Sequence, residues 1–125
     1  MISGNPIPER RKDPRLENNI PVKIFHEDGD LVTETKNVSR SGAYCRINKY
    51  IEPMTKLKIS LLLPTRKNGK NLTRKIAFQG VVVRIEPMSD QKTYNVAIFF
   101  NDISQRDAEC INDYVHSYLE NTQGS

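Results

Sequence analysis

Lys56-Leu57-Lys58-Ile59-Ser60-Leu61-Leu62-Leu63 is the stretch that decides the fold. Leu57, Ile59, Leu61 and Leu63 alternate with Lys56, Lys58, Ser60 and Leu62. A period of two puts one set on a buried face and the other towards solvent, which is a half-buried β-strand and not a helix. The pattern recurs on both sides. Upstream, Ile20, Val22 and Ile24 alternate with Pro21, Lys23 and Phe25, and Ala43, Cys45 and Ile47 alternate with Tyr44 and Arg46. Leu31 to Thr35 reads as the return strand after a turn at His26–Asp30, where Asp28-Gly29 is a strong hairpin signal. Downstream, residues 72–86 read as a strand bent at Gly80, and Tyr94, Val96, Ile98 and Phe100 alternate along the last one. Two loops are expected between these strands: one holding Asn37, Ser39, Ser41 and Gly42, and a basic one from Pro64 to Lys70 that turns at Asn68-Gly69.

After Asp102 the period changes. Ser104 suits an N-cap, with Asp107 three positions on. Ala108, Ile111, Val115 and Tyr118/Leu119 then recur at helical spacing. Six short strands and a closing helix make a mostly β chain, a small antiparallel barrel or sandwich with a C-terminal α-helix. The expected division is an arm at 1–9, a barrel at 10–103, a helix at 104–120 packed on the barrel, and a tail at 121–125.

The chain of 125 residues is the size of one domain, and at 37% hydrophobic it can bury a core without staples. Its longest apolar run is Leu61-Leu62-Leu63, far from the roughly 18 residues of a membrane span. Met1 to Pro8 shows neither a basic nor an apolar signal region. Cys45 and Cys110 stand apart, with no Cys-x-x-Cys pair, so neither a disulfide framework nor a zinc ribbon is expected. A reducing cytoplasm suits this cysteine usage. His26 and His116 are isolated, and no P-loop, Gly-x-Gly-x-x-Gly or nucleophile elbow occurs. The chain therefore reads as a binding module and not an enzyme, with no metal or cofactor.

Charge is unevenly spread. Residues 37–85 carry eleven Lys/Arg against one acidic residue, whereas residues 86–125 carry two against seven. Such a basic block suits an anionic partner.

Two short motifs narrow that partner. Arg11 and Arg15 form an Arg-x-x-x-Arg pair within Arg10-Arg11-Lys12-Asp13-Pro14-Arg15. Pro14 keeps Asp13 out of the α region, so the pair is expected on an irregular segment ahead of the first strand. Asn37-Val38-Ser39-Arg40-Ser41-Gly42 is an Asn-x-Ser-x-x-Gly, and the broader pattern (Asp/Asn)-x-Ser-x-x-Gly is expected about 0.05 times by chance in this composition. Taken alone it would be an Asx or Ser turn between strands. Both motifs, in this order on a small β-rich chain, resemble the PilZ domain, the bacterial receptor module for cyclic di-GMP. Gly80-Val81-Val82-Val83-Arg84-Ile85 and Tyr94-Asn95-Val96-Ala97-Ile98-Phe99-Phe100 are similar to that family's last two strands. The likeness runs over roughly residues 9–120. Asn37 stands where many members carry Asp, and the family pattern allows both.

The resemblance implies a six-stranded antiparallel β-barrel and a cyclic di-GMP site built from Arg10, Arg11, Arg15, Asn37, Ser39 and Gly42, with Arg40, Ser41 and Arg84 as neighbours. Arginine suits the ligand because its planar fork pairs with a guanine edge or a phosphate, and its face stacks on a base. Asn37 offers an acceptor to guanine, Ser39 a hydroxyl donor, and Gly42 a turn with no Cβ in the way of a flat base. Arg10 suggests a second ligand molecule per chain. The arm is expected to be mobile alone and to close over the nucleotide, presenting a new surface to an effector protein whose identity the sequence does not give. Two other readings are a basic barrel for single-stranded nucleic acid and a protein adaptor without ligand. The first lacks an aromatic ladder on its exposed strand faces, and the intact motif arginines count against the second.

Overall fold

A computed structural model describes residues 19–123, without the side chains at 66, 67 and 118–123. Six strands and one helix follow in the order β1 (Pro21–Phe25), β2 (Leu31–Val38), β3 (Gly42–Ile47), β4 (Lys56–Lys67), β5 (Lys70–Pro87), β6 (Tyr94–Asp102) and α1 (Gln105–Gln123). All pairings are antiparallel, and the strands close into a barrel in the order β1-β2-β3-β6-β5-β4. The six-stranded barrel expected from the sequence is thus the fold.

The inward residues are the ones that alternation selects. Val22 and Ile24 of β1, Ala43, Cys45 and Ile47 of β3, Leu57, Ile59, Leu61 and Leu63 of β4, and Val96, Ile98 and Phe100 of β6 are all buried. Phe78 and Phe100 meet edge to face inside, their ring centroids 4.5 Å apart. Gly80 lets β5 cross this core closely. A Cβ there would lie 2.7 Å from both Ile59 Cδ1 and Ile98 Cγ2. The expected bend at Gly80 is a register irregularity against β6 between Gln79 and Val81, with a second between Val82 and Arg84.

The expected basic loop from Pro64 to Lys70 is instead the end of a long hairpin. Pairing of β4 with β5 continues to Lys67↔Lys70, leaving only Asn68 and Gly69 as the turn. Both are left-handed, with φ of 54° and 77°, as a two-residue hairpin turn requires. Pro64 fits because β1 pairs with β4 only over Lys58 to Leu61, so its missing N–H leaves no ladder bond unmade.

Ser104 caps α1, its Oγ accepting the Asp107 N–H at 3.1 Å. Ala108, Ile111 and Val115 are buried, the last two completely. Full burial of such side chains is worth about 1.5–3 kcal/mol each. The helix packs against β4 and completes the core. Tyr118 and Leu119 have side chains outside the described residues.

Candidate functional site

The second motif forms the β2–β3 hairpin, and a bulge prepares it. Thr35 pairs with Cys45, yet Asn37 pairs with Tyr44, so Lys36 is an extra residue on β2. Before the bulge the odd-numbered residue Thr35 points inward, completely buried. After it the even-numbered Val38 does. Asn37 is thereby turned to the outer face, on the strand and not in the loop where the sequence suggested it.

Thr35 also fixes where the chain joins the barrel. Its Oγ1 accepts the Ile20 N–H at 3.0 Å, and its own N–H donates to the Ile20 carbonyl at 2.9 Å. Ile20 is therefore anchored beside the strand that carries Asn37.

The hairpin tip is self-contained. The Ser39 N–H donates to the Gly42 carbonyl at 2.9 Å, leaving Arg40 and Ser41 as the connection. Ser39 is completely buried. Its Oγ accepts the Ser41 N–H at 3.2 Å and lies 3.2 Å from the Ser41 Oγ. The Ser41 carbonyl accepts the Phe100 N–H at 2.9 Å, tying the tip to β6. Ser39 thus shapes the turn. Gly42 is buried at the start of β3 and is not among the left-handed residues, so the turn closes without a positive φ. Arg40 and Ser41 are half-buried at the tip.

On the outer face, Asn37, Tyr44, Ala97 and Arg84 form one row across β2, β3, β6 and β5. A hollow of about 370 Å³ beside this row is lined by Lys36, Asn37, Tyr44, Met88 and Asn95. Asn95 Oδ1 is buried and lacks a hydrogen-bond partner. A second hollow of about 370 Å³ shares Lys36 and is lined also by Asn19, Thr33, Glu34, Thr35 and Arg46. The β5–β6 loop that carries Met88 is braced by Asp90, whose Oδ1 accepts the Lys92 and Thr93 N–H groups at 2.9 and 3.0 Å. These two bonds, the Lys92 one first, hold the exposed carboxyl below its ordinary pKa.

Arg84 lies on the same outer row but three strands from Asn37, about 14 Å along the sheet. Its guanidinium is engaged by Glu86, with Nη2 at 2.8 Å and Nε at 3.1 Å from Oε2. The structure therefore gathers Asn37, Arg40, Ser41 and Gly42 around one hairpin and leaves Arg84 apart. Arg10, Arg11 and Arg15 lie outside the described residues. Lys36, Tyr44, Met88 and Asn95 were not singled out from the sequence. Tyr44 had a signal there, as the polar phase of the Ala43/Cys45/Ile47 alternation. Among the described residues no group of His, Cys, Asp and Glu could hold a metal, and no helix is long and apolar enough to cross a membrane.

The family model described as "PilZ domain" matches residues 9–117. No curated protein matches the sequence by direct comparison. Among solved structures, the fold is similar to the inhibitor of motility of Bacillus subtilis (MotI/DgrA), with a TM-score of 0.79 at 21% identity. That match covers 91% of this chain and 53% of the other. Escherichia coli YcgR in complex with c-di-GMP follows, with a TM-score of 0.71 at 13% identity over 92% of this chain and 48% of that one. The PilZ domain of YcgR with c-di-GMP gives 0.62 at 11% identity, over 92% and 95% of the two chains. At these identities the likeness is one of fold. The chain spans about half the length of the first two proteins.

Proposed function

The chain belongs to the PilZ domain family, and from that premise we propose that it is a receptor for cyclic di-GMP that signals to another protein. The observation that carries this reading is the outward turn of Asn37 into a hollow beside the point where the Arg-bearing segment joins the barrel. Arg15 is five residues ahead of Ile20, so the chain can carry it no more than about 17 Å from that anchor. Asn37 then meets the guanine edge, and the unpartnered Asn95 Oδ1 offers a second acceptor for its N1–H and N2–H. Tyr44 supplies a stacking face. Arg11 and Arg15 pair with phosphate or the O6/N7 edge, with Arg10 gripping a second ligand molecule. Ser39 and Gly42 build the hairpin, and Arg40 and Ser41 present its tip. Arg84, held by Glu86, serves only if the ligand draws it away.

Closure of residues 1–15 over the nucleotide would create the surface that an effector reads. The nucleic-acid alternative is less well supported. Of the exposed aromatics among the described residues, Phe25 lies on β1, Tyr50 between β3 and β4, and Phe99 on β6, which is no stacking ladder.

Calorimetric titration with cyclic di-GMP, with GMP and cyclic di-AMP as controls, tests the reading. Binding at micromolar affinity, about −8 kcal/mol, is expected for cyclic di-GMP alone. No heat at high-micromolar ligand and low salt would reject it. A stoichiometry that stays at one would reject the role given to Arg10. Amide exchange of residues 5–18 should slow on ligand addition, and unchanged exchange would reject the closure.

A further inference from the structure

We propose that the outer face of β1, the start of β2 and β4 is a docking surface for an acidic protein segment anchored by one or two apolar side chains. This face takes in the start of β2, at the opposite end of that strand from the β2–β3 hairpin tip, and the inference holds whether or not cyclic di-GMP is the ligand.

The outward residues of β1 break the usual rule for a solvated strand. Pro21 and Phe25 face out, with Lys23 between them. Val32, opposite Lys23 on β2, is 77% exposed, and Leu62 on β4 is exposed as well. These side chains surround a socket of about 260 Å³ whose floor is the small residue Ser60, opposite Lys23 on the other side of β1. The lining is almost wholly apolar apart from Lys23 and Lys75 on the rim. The volume falls below the roughly 300–1,000 Å³ of small-molecule sites and suits one or two apolar side chains.

The charge around the socket identifies the occupant. Lys23 and Lys75 line it, and Lys58 is paired with Phe25 at its edge. Two acidic residues border this rim, against three lysines: Asp30, 3.7 Å from Lys23 Nζ in an exposed pair that a partner carboxylate can displace, and Glu34, opposite Pro21 on β2. A second copy of this chain is disfavoured, because a two-fold contact would bring these lysines against each other. A lipid surface is disfavoured because the centre of the patch is concave, whereas membrane insertion needs protruding apolar groups. A segment with Leu or Phe flanked by Asp and Glu fills the socket and neutralises the rim.

The test uses the full chain and a short synthetic peptide carrying a Leu-Phe pair between glutamates. The glutamate peptide should shift the amide signals of Lys23, Phe25, Val32, Ser60 and Leu62. Val32→Asp or Leu62→Asp should weaken it about tenfold or more, while cyclic di-GMP titration stays as in the parent chain. Lys58→Glu with Lys75→Glu should reverse the preference towards a lysine-flanked peptide, which guards against a variant that merely folds poorly. The proposal is overturned by no shift at millimolar glutamate peptide, by shifts on another face, or by equal binding of the two peptides. Concentration-dependent dimerisation lost in Val32→Asp, or binding to phosphatidylserine vesicles in place of peptide, would also overturn it.

Discussion

Thr35 and Asn37 sit two residues apart on one strand yet face opposite sides of the sheet. An unbroken strand would put both on the same side. The extra residue Lys36 breaks the phase, so Thr35 stays in the core while Asn37 reaches the outer hollow. One bulge therefore turns the end of a core strand outward, into the proposed site.

The Thr35 hydroxyl is the buried acceptor for the Ile20 N–H. Thr35→Val keeps the shape and removes that acceptor. Stability should fall by about 1–3 kcal/mol, read as a lower urea midpoint with an unchanged slope.

Arg11→Ala and Arg15→Ala should each weaken cyclic di-GMP by about 2–4 kcal/mol, and Asn37→Ala by about 1–3 kcal/mol. Arg66, near the tip of the β4–β5 hairpin, is the control. If Arg66→Ala matched Arg11→Ala in calorimetry, the affinity would be general electrostatics and the site assignment would fail.

Gly80→Ala should cost about 1–3 kcal/mol, because the new methyl meets two buried isoleucines. Thermal melting reads it directly. A melting point equal to the parent's would mean that the core gives way there.

Ile111→Ala should cost about 2–4 kcal/mol and leave the ligand affinity of the folded protein unchanged, since its side chain is completely buried beneath α1. Denaturation and calorimetry on the same variant separate the two effects. A loss of affinity without a loss of stability would move α1 into the site.

Burial pushes the Cys45 thiol from 9.0 up to about 12. The folded chain keeps this proton where the unfolded chain loses it, so its contribution is complete below pH 9 and declines as pH rises towards 12. The slope in that window is about 1.4 kcal/mol per pH unit. The advantage of the parent over Cys45→Ala should therefore shrink between about pH 8 and about pH 10.5. A difference that does not change with pH would reject the assignment.

Alternation made most of the barrel legible in the sequence, because Leu57 to Leu63 and Val96 to Phe100 are strands with one buried face. Helical spacing and Ser104 placed α1 within a few residues. What alternation could not supply was any phase shift. Lys36 looks like any strand lysine, so the sequence put Asn37 in a loop. Likewise Pro64 read as a strand end, because only the folded barrel shows that the β1 pairing of β4 stops at Leu61 while its pairing with β5 runs on. The hollow around Tyr44, Met88 and Asn95 draws on three strands and a loop, and no local pattern assembles it. Ser39 was legible as a motif residue, but its burial and its bond to the Ser41 N–H come from the folded hairpin.

The bond pair between Thr35 and Ile20 makes Ile20 a mooring, five residues along the chain from Arg15. For any flexible connection, the effective concentration of what it carries falls roughly as the −3/2 power of its length. Under the proposed function, inserting or deleting residues between Arg15 and Ile20 would thus retune ligand sensitivity while the barrel keeps its contacts. The threshold of the proposed signal would then depend on the length of that connection, separable from both the stability of the fold and the chemistry of recognition.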